Sequence, residues 1–307
     1  HLPLRSEYSA SDEGRINKGA AKILFGKVYL TKGDFQKAKD KLAEVVEHES
    51  EYGFGLHKDY HANWLRDTEA GIEAVLYIEY KEPPFQHNGE MALAGPKYSI
   101  PGSLGISALN EADIPTQELY DQFDNRDLRK KTNFKTEFAH LKTGEILKSS
   151  IPLSGKFWVE GLETGDRCDV NMHIIRYADA ILMYAEALNE VGKSTKALAM
   201  LNRIRERAFG DDSGNFKPMS KDEFRTAILN ERRLEFPHEG HRWFDLVRTG
   251  TFIQRMKEHS AYEAKVAEAN KTEIAQNIKE HMILMPIPQS EIDLNLSLIP
   301  ISELTRP

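Results

Sequence analysis

Apolar residues recur every three to four positions in two parts of the chain, and this spacing predicts two helical hairpins. The first covers residues 13–48, with Gly33 and Asp34 at its turn. The second covers residues 176–208. The predicted core positions are Ala21, Leu24, Phe25, Val28 and Tyr29, then Phe35, Ala38, Leu42, Val45 and Val46, and in the later hairpin Tyr184, Ala185, Leu188, Ala197, Leu201 and Ile204.

Both hairpins fit the template of a tetratricopeptide repeat, counted from Gly19 and from Ala178. These starting points are too far apart for tandem repeats, so the hairpins are predicted to flank a large insertion. Repeat units bury their apolar faces only against neighbouring units. We therefore expect further units from a segment N-terminal to this chain.

The insertion differs in character from the hairpins. Residues 71–80 alternate apolar and polar side chains, which predicts a strand. Pro83 and Pro84 follow, and residues 87–105 are rich in glycine and proline without any period. A loop of this length inside a compact domain is usually functional or disordered.

Residues 228–250 combine charged and aromatic side chains at high density. Ser220 and Glu223 form the capping box of a predicted helix that ends before Pro237 and Gly240, and a second short helix follows. Charged residues occupy positions on these helices where apolar residues are expected, and buried carboxylates pair well with guanidinium groups. We predict a structural Glu/Arg/Asp network beneath Trp243 and Phe244. Its members are Glu231, Arg232, Glu235, Arg242, Asp245 and Arg248.

This stretch also resembles the hallmark of the SusD/RagB family, the nutrient-binding lipoproteins of the Gram-negative outer membrane. Three further segments agree with the family in the same order along the chain. The matching residues are Glu231–Arg233, Glu235, Glu239–Gly240, Arg242–Leu246 and Arg248–Gly250, then Arg176–Asp179 with Met183–Glu190, Leu201–Arg205, and Pro286–Pro288.

The resemblance implies a mainly α fold, in which a tetratricopeptide-like helical scaffold carries a loop-rich insertion with a little β structure. The predicted regions are residues 1–50 (helical hairpin), 51–170 (insertion with ligand-facing loops) and 171–307 (C-terminal helical region of the family). The family also has an Asp-x-Arg segment, matched at Asp127 and Arg129, and a lysine–aromatic pair, matched at Lys156 and Phe157. The family's usual asparagine-proline-glycine-tyrosine ending is replaced here by ISELTRP.

Net charge, apolar runs and the cysteine count narrow the classes of function that the chain could have. A net charge of −7 argues against a nucleic-acid partner, because phosphate contacts require clustered lysine and arginine. No apolar run approaches the length of about 18 residues expected of a membrane span. The single cysteine, Cys168, excludes an intrachain disulfide and lies too deep in the chain to carry the family's lipid anchor. That anchor and the signal peptide are expected in an N-terminal part that is absent here.

Catalytic and metal motifs are weak. His238 and His241 are three residues apart across Gly240, whereas a zinc protease requires histidines four apart on one unbroken helix. The acidic run around Asp124 lacks EF-hand spacing. Glycosidase carboxylates meet in space and cannot be identified from spacing. We predict no catalysis, no metal and no cofactor.

Aromatic and polar residues of the insertion are the candidate ligand-binding groups. Sugar rings stack on aromatic planes, while amide and charged side chains bond their hydroxyls. The resemblance favours Phe85, Asn88 and Tyr98, since the family's ligand site draws partly on loops of this region. The candidates are Phe85, Asn88, Tyr98, Trp64 and Trp158.

The expected function is capture of an oligosaccharide at the surface of the outer membrane and its delivery to a SusC-like TonB-dependent transporter. Contact with the membrane is expected only through the N-terminal lipid anchor. Three alternatives remain open: a peptide-binding member of the family, a helical-repeat adaptor for a protein partner, and a glycan-degrading enzyme. A ligand screen separates the first two from glycan capture, and release of reducing sugar identifies the third.

Overall fold

The computed structural model describes residues 1–81, 87–100, 104–266, 277–284 and 286–294. Helices dominate these residues, and four short strands accompany them. The helices are α1 (Lys18–Thr31), α2 (Phe35–Val46), α3 (Glu49–Tyr52), α4 (Glu90–Ala94), α5 (Gln117–Asp121), α6 (Lys130–Asn133), α7 (Tyr177–Glu190), α8 (Ser194–Phe209), α9 (Lys221–Glu235), α10 (Arg242–Arg248), α11 (Phe252–Val266) and α12 (Gln289–Leu294). The strands are β1 (Ala74–Ile78), β2 (Phe134–Ala139), β3 (Ile146–Ser154) and β4 (Met172–Arg176). The predicted fold class is confirmed.

Helix α7 is the centre of the helical scaffold. Every residue from Tyr177 to Asn189 is buried, and the helix packs against α1, α2, α8 and α9. A helix that is buried all round needs neighbours on every side. Both predicted hairpins are therefore present, as α1–α2 and α7–α8, and they pack together through α2 and α7 although the insertion separates them in sequence.

The predicted core face of α1 is wrong. Ala20, Ile23 and Leu30 are buried, whereas Leu24, Phe25 and Val28 are exposed. Helix α1 carries apolar residues on two faces, so periodicity alone could not choose between them.

Gly26 shows which face of α1 packs inward. A Cβ atom at this position would lie 2.5 Å from Cγ of Leu42 in α2. The small residue thus allows the two helices to approach closely, and its face, with Ile23, is the one that becomes buried.

The strands form two separate antiparallel pairs. Strand β1, inside the predicted strand at 71–80, pairs with β4 just before α7. Strands β2 and β3 form a hairpin in the second half of the insertion. The insertion has its own apolar core, which includes Phe138, Leu153 and Phe157 and is distinct from the core around α7.

Charged side chains are buried between the insertion and the scaffold helices. Helix α9 begins with the predicted Ser220–Glu223 capping box and places Glu231, Arg232 and Glu235 in the interior. Buried ion pairs among the described residues include Arg129 with Asp127, Glu231 and Glu235; Arg176 with Glu73, Glu235 and Glu239; Arg207 with Glu73 and Glu235; Lys156 with Glu239; and Arg232 with Asp179.

This arrangement confirms the predicted structural role of Glu231, Arg232 and Glu235. That Arg242 joins them to Asp245 and Arg248 stays a prediction.

Contacts divide the chain into one unit at His1–Arg242, which contains the four strands, helices α1 to α9 and the buried ion pairs named above, and a second unit at Trp243–Pro307. In the second unit Arg248 donates to Asp245 at 2.8 Å, and the rings of Trp243 and Phe252 lie 4.5 Å apart. Phe244 is 68% exposed. That Trp243 and Phe244 lie over the charged network stays a prediction. Among the described residues, no helix combines the length and apolar character needed to cross a membrane.

Candidate functional site

Tyr98 stands on a loop that both the insertion core and β3 support. The loop follows α4 and enters the core at Ile100, which is buried. Its Ser99 carbonyl accepts from the backbone amide of Ser150 in β3 at 3.3 Å. Tyr98 itself is 75% exposed. A firmly supported backbone therefore carries an aromatic ring into solvent.

A second chain segment holds the beginning of the same loop. The amide of Glu111 donates to the carbonyl of Gly95 at 3.1 Å, and the amides of Ala112 and Asp113 both donate to the carbonyl of Leu93. Residues 93–99 thus lie against residues 111–113. This pairing joins two stretches whose sequences show no periodicity.

The ring of Tyr98 already has one cationic neighbour. Nζ of Lys97 lies 5.1 Å from the ring centroid, a distance at which an ammonium group is attracted by the electrons of the ring. Because Tyr98 as a whole is 75% exposed, solvent still reaches its side chain. An aromatic plane beside a hydrogen-bond donor fits the needs of a sugar, whose ring stacks and whose hydroxyls accept. Sequence reasoning did not select Lys97.

Asn88 lies in the interior. Its side-chain amide donates to the carbonyl of Val170, and its side-chain oxygen accepts from the amide of Glu90, both at 2.8 Å. The backbone amide of Asn88 donates to the carbonyl of Cys168. The side chain therefore fastens the start of α4 to residues 168–170, which is a structural task.

Trp64 is also buried. Its ring lies 4.8 Å from that of Tyr60, and Nζ of Lys156 and the guanidinium of Arg176 lie 4.5 and 5.2 Å from its centroid. The indole thus forms a wall of the buried charge network. No open aromatic plane is available there to a ligand.

Trp158 is intermediate between these cases. It is half-buried, its ring packs edge-on against Phe138 at 4.6 Å, and Nζ of Lys135 lies 5.4 Å from its centroid. Phe85 lies outside the described residues, as does the divergent ISELTRP ending. Of the four described candidates, only Tyr98 is mostly exposed to solvent.

A cleft of about 210 Å³ lies between the N-terminal residues and β1, where Arg5, Tyr8, Arg15 and Tyr77 contribute to its lining. Its volume is below the roughly 300 Å³ at which pockets usually enclose a small ligand. The guanidinium of Arg5 already donates hydrogen bonds to the carbonyls of Ala70 and Gly71. None of the predicted site residues lines this cleft.

His238 and His241, the pair considered for a metal, have different partners. Nδ1 of His238 lies 3.2 Å from Asp113, whereas the buried His241 lies beside Asp179 and Lys27. Burial lowers the pKa of His241 to about 4, so this side chain is neutral at pH 7. The described part of the chain holds no group of three or more His, Cys, Asp or Glu residues suited to a metal.

The fold and this loop define a class of protein: a tetratricopeptide-like helical scaffold whose large insertion presents an aromatic side chain on a supported loop. The family model of the SusD family matches residues 77–301, which is more than half of the chain. The chain belongs to the SusD family.

Individual relatives agree with this assignment. A SusD-like protein of Formosa agariphila is 29% identical over 92% of this chain and 59% of its own length. A SusD homologue from Bacteroides thetaiotaomicron has a similar structure, with a TM-score of 0.77 at 23% identity over 96% of this chain and 66% of that one.

Surface glycan-binding protein A from Bacteroides thetaiotaomicron, solved in complex with laminarihexaose, shares the fold with a TM-score of 0.71. It is 20% identical over 95% of this chain and 65% of that one. The chain spans about three fifths of the length of two curated SusD-like relatives from Formosa agariphila.

Proposed function

We propose that this protein captures an oligosaccharide at the cell surface and that the loop carrying Tyr98 forms part of its binding surface. The observation that carries the proposal is the exposed ring of Tyr98 on a backbone held by β3 and by residues 111–113. Loops on a rigid scaffold are where binding residues concentrate. Membership of the SusD family and the laminarihexaose complex of a structural relative support a glycan as the ligand.

The capture is an equilibrium without covalent chemistry. In this proposal the insertion at 51–170 supplies ligand-facing loops, while the helices of 1–50 and 171–307 provide the scaffold. The chain spans about three fifths of the length of its Formosa agariphila relatives, and the proposal concerns the part of the binding surface that lies within this chain. Phe85 and Trp158 remain secondary candidates beside Tyr98.

Delivery completes the proposed function. The bound oligosaccharide passes to a SusC-like TonB-dependent transporter, and an N-terminal lipid anchor outside this chain holds the protein at the outer membrane. This part rests on the family resemblance.

Calorimetric titration of the full-length protein with a panel of neutral oligosaccharides, laminarihexaose included, tests the proposal. Tyr98→Ala should weaken binding roughly tenfold, since a stacked aromatic contributes about 1–3 kcal/mol in comparable base-stacking sites. The matched control is Phe25→Ala, which removes an exposed aromatic from α1, outside the insertion. Its affinity should equal that of the parent.

Three results would overturn the proposal. Equal glycan affinity in Tyr98→Ala and the parent would remove Tyr98 from the site. Binding of polypeptides alone would replace glycan capture by peptide or adaptor binding, and release of reducing sugar from the panel would indicate an enzyme.

A further inference from the structure

The carboxylate of Glu111 is surrounded by hydrogen-bond donors of the Tyr98 loop. Its Oε1 atom accepts from the backbone amides of Lys97, Tyr98 and Ser99 at 2.6, 2.8 and 2.8 Å. The Ser99 hydroxyl donates to the same oxygen at 2.7 Å. Consecutive amides that converge on one point form an anion-binding concavity. Here the anion is a side chain of the protein itself.

The backbone around Glu111 is held in a conformation that side chains disfavour. Glu111 has φ +53°, and Ala108 three residues earlier has φ +64°. Residues with a Cβ atom rarely adopt positive φ, and such residues persist only where their surroundings fix them. Two sets of contacts fix the backbone of Glu111. Its amide donates to the carbonyl of Gly95, and its carboxylate accepts from residues 97–99.

Glu111 is charged at neutral pH. Partial burial by itself raises the pKa of this carboxyl, but hydrogen bonds from Ser99, Lys97 and Tyr98 outweigh burial, so that the pKa lies below its ordinary value. Bonds to an ionised acceptor are roughly twice as strong as neutral ones. The loop is therefore fastened at its centre by a charged group.

Tyr98 has few packing contacts, because 75% of the residue is exposed to solvent. Its position consequently depends on the backbone of residues 97–99. A loop that is ordered before the ligand arrives avoids the entropic cost of ordering on binding. Without Glu111, three consecutive amides would lose their acceptor, and the loop would have to be ordered by the ligand.

We propose that Glu111 is a positioning residue for ligand capture: its carboxylate fixes residues 97–99 and so presents the ring of Tyr98 in its binding orientation. The proposal rests on the proposed function of Tyr98. It assigns Glu111 no contact with the ligand. Its effect on binding therefore passes entirely through Tyr98.

Hydrogen exchange measured by mass spectrometry tests the loop without any ligand. In Glu111→Ala the amides of residues 97–99 should exchange at least about tenfold faster than in the parent, because bonds to a charged acceptor are lost. Glu111→Gln keeps an acceptor oxygen but not the charge, so its exchange should be intermediate. The control is Glu137→Ala, which removes a surface carboxylate paired with Lys148 elsewhere in the insertion. It should leave this exchange unchanged.

Calorimetric titration of full-length protein with laminarihexaose, and in parallel with maltohexaose and xylohexaose, tests the link to Tyr98. Glu111→Ala should weaken binding of the recognised glycan about three- to tenfold, which is the range for ordering one or two side chains. The same substitution made in the Tyr98→Ala background should cause no further loss. Thermal melts identify any variant that fails to fold, and Glu111→Gln then replaces it.

The outcomes separate this inference from the proposed function. If Tyr98→Ala weakens binding but Glu111→Ala does not, or if residues 97–99 exchange equally fast in both proteins, the positioning role is refuted and glycan capture stands. If Glu111→Ala weakens binding equally in both backgrounds, Glu111 acts independently of Tyr98 and the inference fails. If exchange accelerates while no glycan affinity depends on Tyr98, the proposed site is refuted and the positioning role with it.

Discussion

The guanidinium of Arg176 lies 3.0 Å from the carboxylate of Glu235, and both side chains are completely buried. Each has further charged partners. Arg176 also pairs with Glu73 and Glu239, and Glu235 also accepts from Arg129 and Arg207. Glu73 and Arg129 belong to the insertion, whereas the others belong to the helical scaffold. The network thus joins the part of the molecule that carries the Tyr98 loop to the part that supports it.

Arg176→Ala should lower the free energy of unfolding by about 3–5 kcal/mol, since removal of one partner leaves buried carboxylates uncompensated. Urea denaturation followed by circular dichroism measures this. The control is Arg126→Ala, which breaks an exposed pair with Asp124 and should leave the free energy of unfolding nearly unchanged. Equal stability of the two variants would show that the buried charges are solvated in solution.

Sequence reasoning found one side of this network. Glu231, Arg232 and Glu235 occupy helical positions where apolar residues belong, and that conflict between charge and burial is visible in the pattern. Glu73 and Arg207 give no such signal. Glu73 and Arg207 pair with each other and with charged residues of distant segments, and the periodicity of a single sequence does not reveal such pairs.

The candidate site shows the same limit. A loop rich in glycine and proline was recognisable, but the exposure of each side chain within it was not. Asn88 and Tyr98 lie in the same loop-rich stretch, yet one fastens α4 and the other faces solvent. Asn88 is held in the interior by hydrogen bonds to residues 168–170, whereas the loop of Tyr98 is held by residues 111–113. Those partners lie on other parts of the insertion.

Acid should destabilise the protein through Glu235. Burial alone raises the pKa of this carboxyl, but the charges of Arg207, Arg176 and Arg129 lower it to about 2. A glutamate in the unfolded chain has a pKa of about 4.3. Between pH about 2 and about 4.3, the unfolded chain therefore binds more protons at this position than the folded protein does. The contribution of Glu235 is therefore fully present above pH about 4.3 and is lost as the pH falls toward about 2.

Urea midpoints recorded between pH 6 and 3 measure this loss. Asp124 serves as the comparison, because its pKa is also lowered to about 2 by Arg126, but on the surface. Asp124→Asn should leave the acid profile nearly unchanged, since exposed pairs are weak and screened by salt. A midpoint that stays constant down to pH 3 in the parent would contradict the prediction.

Lys156 should be less important for stability than the arginines around it. Its Nζ lies 2.6 Å from Glu239, yet burial lowers the pKa of Lys156 to about 8 despite that attraction. Burying the ammonium therefore costs more than its partner returns. Glu239 also keeps Arg176 as a partner, at 2.7 Å. Lys156→Met should change the free energy of unfolding by less than about 1.5 kcal/mol, since a replacement of similar shape avoids the burial of charge.

The comparison for Lys156→Met is Arg176→Ala, measured by the same urea titration. A loss as large for the methionine variant as for Arg176→Ala would mean that the ammonium of Lys156 is a principal member of the network.

The two faces of α1 give the last prediction. Ile23 is completely buried and packs in the core around α7, whereas Phe25 is 57% exposed. Ile23→Ala should therefore destabilise the 307-residue chain by about 2–5 kcal/mol, the range for removing a large buried aliphatic side chain. Phe25→Ala removes more atoms but should change stability by no more than about 0.5 kcal/mol, as surface substitutions usually do.

Gly26→Ala provides an independent check of the same face. Its new Cβ would meet Leu42 at 2.5 Å, so α1 and α2 would have to move apart, at a cost of about 1–3 kcal/mol. Thermal melts of the three variants decide between the faces. A lower melting temperature for Phe25→Ala than for Ile23→Ala would restore the stripe of Leu24, Phe25 and Val28 as the core face and contradict the packing of α1 against α2 described above.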